Sequence, residues 1–189
     1  MIPVAGVVLA AGMSSRMGEE NKLVKVWNDR PLVRHVVDAC AQSQLDRFVV
    51  VTGHQQHEVE ACLPSDVALI QNHEYEQGMA GSIRAGIYRL QGLAAVMVLL
   101  GDMPMVEPDH INAMINAFRE RDETDAIVVA TNEGKWGNPV LFGTAYFGRL
   151  KMLDGDRGAR ALLEENQEHI VPVEIGQAAA RDFDTKADF

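Results

Sequence analysis

At 189 residues, of which 47% are hydrophobic and 23% charged, the chain can bury one substantial core and is short for two, so residues 1–189 are read as a single domain. The formal net charge is −10 with no Lys/Arg-rich block, which excludes nucleic acid and an anionic membrane as partners; a polyanionic substrate would need local cations or a metal to overcome this background. Cys40 and Cys62 are too few for a disulfide framework and fit no metal spacing, Met1-Ile2-Pro3 lacks the basic start of a secretion signal, and no apolar run is long enough to cross a membrane, so two reduced thiols and a cytoplasmic setting are expected.

In chain order, an apolar run from near Ile2 predicts a buried strand ending in Leu9-Ala10-Ala11-Gly12-Met13-Ser14-Ser15-Arg16-Met17-Gly18, with Lys22 closing the stretch. Gly12 and Gly18 allow main-chain N–H groups to approach an anion, Ser14 and Ser15 add hydroxyl donors, and Arg16 and Lys22 add charge, which outlines a phosphate loop. The spacing matches neither G-x-x-x-x-G-K-[ST] nor G-x-G-x-x-G, arguing against a P-loop ATPase and a dinucleotide dehydrogenase. A plain glycine–serine turn with two solvated cations is the alternative reading.

Pro31 then starts a helix whose apolar positions Leu32, Val33, Val36, Val37, Ala39 and Cys40 recur every three to four residues. Further buried strands are expected at Phe48–Val51, Val67–Ile70, Leu93–Leu100, Ala126–Val129 and Pro139–Phe142. Continuous apolar strands alternating with helices imply a doubly wound, Rossmann-like α/β domain with a mainly parallel sheet covered on both faces. Ligands bind such sheets outside the carboxyl ends of the strands, so polar residues at those ends should share one crevice. Gly101-Asp102-Met103-Pro104 is the most informative of these ends: a carboxylate fixed directly after a buried strand suits a divalent cation, or else caps a turn before Pro104. His54 follows a strand end and lines the crevice or anchors a loop. Small residues up to Ser82 are expected to precede a helix beginning near Ile83 and to leave its first N–H groups open to an anion or a base, with Met79 as packing. Trp136 offers a flat face to a ring system or acts as a half-buried anchor, and Asp156 caps a helix near which Arg157 or Arg160 holds an anion or is merely solvated.

Read together, Leu9-Ala10-Ala11-Gly12-Met13-Ser14-Ser15-Arg16-Met17-Gly18 with Lys22, Gly101-Asp102-Met103-Pro104, Gly137-Asn138-Pro139 and Asp182-Phe183-Asp184-Thr185 resemble, in order, the motifs of the MobA/MocA-like nucleotidyltransferases that build the molybdenum cofactor. The resemblance implies a nucleotide-diphospho-sugar transferase-like fold and a Mg²⁺-dependent transfer of CMP from CTP to the terminal phosphate of molybdopterin, with release of pyrophosphate. It assigns Arg16, Lys22 and Asp102 to catalysis. Leu9, Ala10, Ala11, Gly12, Ser14, Ser15, Arg16, Lys22, Asn72, Gly78, Ser82 and Gly101 fall to the nucleotide. Trp136, Gly137, Asn138, Pro139 and Arg160 fall to the acceptor, and Asp102 and Asp184 to the metal, with Asp182 a further candidate. Departures from the family pattern are Ala80-Gly81, where relatives carry serine, and Lys186 in place of a proline. A guanylyl or a sugar- or alcohol-phosphate transferase on the same fold, and a non-catalytic carrier of the finished cofactor, are the alternatives. The implied partners are CTP, a molybdopterin-type phosphate, and a transient contact with a molybdoenzyme or its chaperone.

Overall fold

The computed structural model describes residues 2–13, 20–90, 92–155, 158–183 and 188. A seven-stranded sheet runs in the order β5-β4-β1-β6-β8-β7-β9, from β1 (Val4–Ala10), β4 (Arg47–Thr52), β5 (Leu69–Gln71), β6 (Ala95–Leu100), β7 (Ile127–Asn132), β8 (Lys135–Gly143) and β9 (Ile170–Glu174). All neighbours are parallel except the pairs that β8 makes with β6 and β7. The expected mainly parallel, doubly wound sheet is therefore present, with one strand reversed. A two-residue turn at Asn28-Asp29, both at positive φ, joins the short hairpin β2 (Val26–Trp27) and β3 (Arg30–Pro31), which periodicity did not reveal.

Alternate residues of each central strand supply opposite faces. Val4, Val8, Val50, Met97, Leu99, Val128 and Leu141 pack under α1 (Leu32–Gln42) and α4 (Pro108–Arg121). Val7, Val49, Val51, Val96, Val98, Ile127, Val129 and Phe142 pack under α3 (Met79–Arg89), α5 (Phe147–Leu150) and α6 (Arg160–Glu165). Full burial is worth about 1.5–3 kcal/mol per large apolar side chain, whereas an exposed ion pair such as Arg160–Glu164 contributes at most about 1 kcal/mol. The two apolar layers therefore dominate the stability. Gly86 lets α3 lie close on β1, because a Cβ there would stand 2.4 Å from Cγ1 of Val7.

Several boundaries differ from expectation. Pro31 occupies the N-cap of α1 rather than its first turn. Helix α3 starts at Met79, four residues before Ile83, so Ala80, Gly81 and Ser82 are helical rather than pre-helical; the start is set by Gly78, whose φ of +99° a side-chain-bearing residue rarely adopts. Strand β9 was not anticipated, because an edge strand of mixed burial containing Pro172 lacks an apolar signature. The N-cap of α6 is Ala159; Asp156 and Arg157 lie outside the described residues. No helix among the described residues is long and apolar enough to cross a membrane, and Cys40 and Cys62 are both free thiols, with burial pushing each pKa up.

Candidate active site

Strands β1 and β6 lie side by side in parallel register, Leu9 opposite Leu100, so the segments leaving their carboxyl ends emerge together. Gly101 donates its N–H to the Leu9 carbonyl at 2.9 Å, and a Cβ on it would stand 3.0 Å from that oxygen, so this glycine serves close approach of the two segments. Asp102 follows at the mouth. Gly12 differs: among the described residues a Cβ there would meet nothing within 4 Å, and its backbone lines the cavity.

Lys22 is delivered by a short 3₁₀ turn at Lys22–Val24. The buried Asn21 caps it, accepting the Leu23 N–H at 3.0 Å while its amide reaches the His54 carbonyl at 3.4 Å. His54 in turn donates its backbone N–H to Ala11 at 3.3 Å. This chain of bonds ties the Lys22 turn to the strand ends, and His54 contributes its backbone and a ring tilted against Tyr75 rather than lining the cavity. Lys22 Nζ lies 2.6 Å from Asp102 Oδ2, with only 14% and 17% of the two side chains exposed. The other carboxylate oxygen, Oδ1, is buried without a hydrogen-bond partner among the described residues. Burial pushes the Asp102 pKa up, Lys22 pulls it down, and the negative charge of Asp182 pushes it up again, with the net result above the ordinary aspartate value.

A cavity of about 220 Å³ opens over these groups, bringing together Leu9, Ala11, Gly12, Lys22, Gly78, Ser82 and Asp102 from the residues expected at the nucleotide and metal, along with Leu23, Tyr75, Met79 and Leu100. Tyr75 is seated on Gly53, where a Cβ would come within 2.7 Å of the tyrosine Cβ and 2.8 Å of the Ala11 Cβ. Three described residues assigned to the nucleotide do not line this cavity: Gly101, which packs against the Leu9 carbonyl, Ala10 and Asn72. Ala10 turns into the layer beneath α1 and α4. Asn72 is buried, donating to Ser82 Oγ at 3.0 Å and accepting the Glu74 N–H at 3.0 Å, so its polar atoms brace the loop that carries Tyr75 and Gly78.

A second cavity of about 240 Å³ adjoins the first and shares Met79 and Leu100 with it. Trp136, Gly137, Asn138 and Arg160, from the set expected at the acceptor, line it together with Ile83, Val98, Val140, Phe142, Ala159 and Leu163; Pro139 is buried in β8 and does not. Trp136 is 43% exposed at the cavity edge, which accommodates both a flat face for a ring and a half-buried anchor. Met79, read from the sequence as packing, is the partition between the two cavities. Met79 and Tyr75 follow no spacing that marks them; positive φ at Gly78, which aims this turn, is the structural signal.

The C-terminal segment approaches the same place. Phe183 donates its N–H to the Asp102 carbonyl at 3.1 Å, and its buried ring meets Trp27 edge-on at 5.2 Å, while Asp182 is exposed. Ser14, Ser15, Arg16 and Asp184 lie outside the described residues. Among the described residues no group of three or more His, Cys, Asp or Glu side chains forms a metal cage. The orphaned Asp102 Oδ1 still fits a divalent cation that draws most of its ligands from phosphate oxygens.

Residues 6–170 match a family described as the MobA-like NTP transferase domain. Purine catabolism protein PucB of Bacillus subtilis (strain 168) is 29% identical over 172 residues, covering 86% of this chain and 81% of PucB. Bifunctional protein GlmU of Cutibacterium acnes (strain DSM 16379 / KPA171202) is 29% identical over 168 residues, which is 86% of this chain but 40% of GlmU; the chain thus spans less than half of that relative. Among solved structures, Rv0371c from Mycobacterium tuberculosis H37Rv superposes with a TM-score of 0.86 at 25% identity, covering 99% of this chain and 95% of that one. A manganese complex of Rv0371c superposes with a TM-score of 0.80 at 24% identity, covering 98% and 95%. The fold is that of the nucleotide-diphospho-sugar transferases.

Proposed function

From the premise that this chain belongs to the MobA-like NTP transferase family, we propose that it is a cytidylyltransferase, moving CMP from CTP to the terminal phosphate of a molybdopterin-type acceptor and releasing pyrophosphate. The observation that carries this reading is the pair of adjoining cavities. One holds a cation and a carboxylate beside bare backbone, the other is apolar with Trp136, Asn138 and Arg160 along it, and Met79 and Leu100 stand between them. A nucleotide in the first and an acceptor in the second would bring the α-phosphate and the acceptor phosphate together at that boundary.

An acceptor phosphate is already anionic near neutral pH, so the transfer needs alignment and charge neutralisation rather than a general base. The acceptor oxygen forms a bond to the α-phosphorus as the α–β bridge bond breaks, and the electron pair leaves with pyrophosphate. Lys22 and, from the sequence motif, Arg16 neutralise the phosphates, and the backbone at Gly12 cradles them. Met79 separates the base side from the acceptor side. Asp102, together with Asp184 or Asp182, would hold Mg²⁺, which when bound supplies Lewis-acid neutralisation of phosphate oxygens. The manganese complex of Rv0371c supports a divalent cation on this fold. Transient docking to a molybdoenzyme or its chaperone, to deliver the product, completes the proposal.

Pyrophosphate release measured with each of the four NTPs, with and without molybdopterin, tests it. CTP should be used at least about tenfold better than GTP, a gap of roughly 1.4 kcal/mol, and only with acceptor present. A mainly guanylyl product would move the protein to another branch of the family. Turnover only with a sugar or alcohol phosphate would change the acceptor, and tight retention of finished cofactor without turnover would make it a carrier.

A further inference from the structure

Lys22 and Asp102 reach each other from separate segments, one following β1 and the other following β6, yet they close to 2.6 Å in a largely desolvated wall of the crevice. Their individual tasks pull them apart. A lysine that neutralises a triphosphate must leave a carboxylate, and a carboxylate that holds a cation cannot keep an ammonium on the same oxygen. Oδ2 is taken by the lysine while Oδ1 is buried and unpartnered among the described residues, so the carboxylate is half satisfied. Removing one member of such a pair strands the other charge, and is far more costly than replacing it with an equivalent charge.

We propose that Lys22 is the resident counter-ion of Asp102 and that triphosphate and divalent cation bind by exchanging it: the phosphates draw the ammonium off the carboxylate, and the cation takes the oxygen it vacates. The inference rests on the reading that this crevice holds a triphosphate. Each ligand alone must break the pair and leave one charge stranded, so each binds weakly by itself and strengthens the other, reciprocally. Direct coordination of the cation by phosphate gives coupling of the same sign. The feature peculiar to exchange is therefore sought where no metal is present.

With EDTA present, Asp102 restrains Lys22 from the phosphates, so Asp102→Asn should tighten binding of inorganic tripolyphosphate and of CTP by roughly tenfold or more, within the usual range of coupling between sites. Removing any nearby negative charge helps an anion a little, and Asp182→Asn, whose carboxylate also repels that of Asp102, measures this background. The decisive comparison is in a Lys22→Ala background, where exchange predicts that the gain from Asp102→Asn falls to the level of the Asp182→Asn control. An equal gain in both backgrounds, or no gain in either, overturns the proposal.

Mn²⁺ binding to the nucleotide-free protein, followed by electron paramagnetic resonance, provides an independent readout should Asp102→Asn fold poorly. Lys22→Ala should bind Mn²⁺ about tenfold tighter than wild type, while Lys25→Ala, removing a lysine that pairs with Glu20 instead, should change little. No difference between the two lysine variants overturns the exchange. If tripolyphosphate follows the predicted pattern but CTP binds no better than tripolyphosphate, the cytidine reading fails and the exchange stands. If neither anion binds, the exchange falls.

Discussion

The two walls of the crevice are built on opposite principles. On the nucleotide side, parallel strands β1 and β6 end together; Asp102 follows β6 directly, and Lys22 is brought to it by a 3₁₀ turn that Asn21 ties to His54 at a neighbouring strand end. On the acceptor side, the cavity is assembled from α3, β6, the reversed strand β8 and α6, and its surface is mostly apolar. Rigid strand ends suit charge neutralisation, which depends steeply on position. An apolar cavity made from four elements suits recognition of a ring system, where shape and area decide. The difference should appear in mutant kinetics as a separation of turnover from acceptor affinity.

The largest effect should come from the charged wall. Asp102→Asn or Lys22→Ala should each lower turnover at saturating substrates by roughly 10²-fold or more, as loss of one electrostatic group at a reacting phosphate usually does. The Asp102/Lys22 double variant should be little worse than either, since the two act as a unit. Steady-state kinetics with Mg²⁺ provide the check. A loss confined to KM would mean that this wall binds substrate without favouring the transition state.

The charged wall was legible because it is local in sequence. Each element of it is a continuous apolar strand with its polar residues after it in the chain, Gly12 and then Lys22 beyond β1, Gly101 and Asp102 directly after β6, and buried parallel strands are the easiest elements to recognise. The acceptor wall was legible only in part. Trp136, Asn138 and Arg160 carried a recognisable resemblance, but Ile83, Val98, Phe142 and Leu163 are ordinary core residues until the fold leaves one end of each facing a cavity. The reversal of β8 could not be read either, because an apolar run has no direction. Asn72 was assigned to the nucleotide on its motif; that its side chain is spent on Ser82 and Glu74 depends on how the loop folds back.

Breaking the packing of the acceptor wall gives the next largest effect. A Cβ on Gly137 would lie 1.9 Å from the Ala179 carbonyl oxygen, a backbone atom that cannot turn aside. Gly137→Ala should therefore cost roughly 1–3 kcal/mol of stability as overpacking, and displace β8 from the 176–179 turn. Denaturant unfolding measures the first and acceptor KM the second. Unaltered stability would show that the turn yields freely.

Trp136 sharpens the comparison more gently. Its exposed ring contributes little to the core, so Trp136→Ala should leave the unfolding midpoint nearly unchanged while raising acceptor KM by about tenfold, equivalent to roughly 1.4 kcal/mol of lost ring contact. The KM for CTP should not move. A parallel rise in both would place Trp136 on the nucleotide, and the division between the two walls would fail.

The smallest effect concerns what holds Trp136 in place. The Glu174 carboxylate, on edge strand β9, accepts the Thr131 hydroxyl at 2.9 Å and the backbone N–H groups of Glu133, Gly134 and Gly176 at 3.0, 3.3 and 3.1 Å. One side chain thus ties the tip of the β7–β8 hairpin, just before Trp136, to the turn on which Gly137 packs. The Glu133 N–H, with Thr131, Gly134 and Gly176, favours the ionised form and holds the Glu174 pKa below the ordinary glutamate value. Because the folded-state pKa is depressed, the stabilisation is fully present above the unfolded-state value and is lost as pH falls through the folded one. Glu174→Gln should therefore melt slightly below wild type at neutral pH, and the gap should close on acidification below about pH 4 as wild-type Glu174 is protonated. Amide exchange at Glu133 and Gly134 should quicken in the variant at neutral pH and in both proteins under acid, after allowance for the intrinsic pH dependence of exchange. A melting gap that persists unchanged throughout acidification would mean that the hairpin tip does not depend on the ionised carboxylate, and that the acceptor wall is held by packing such as that of Gly137 on Ala179.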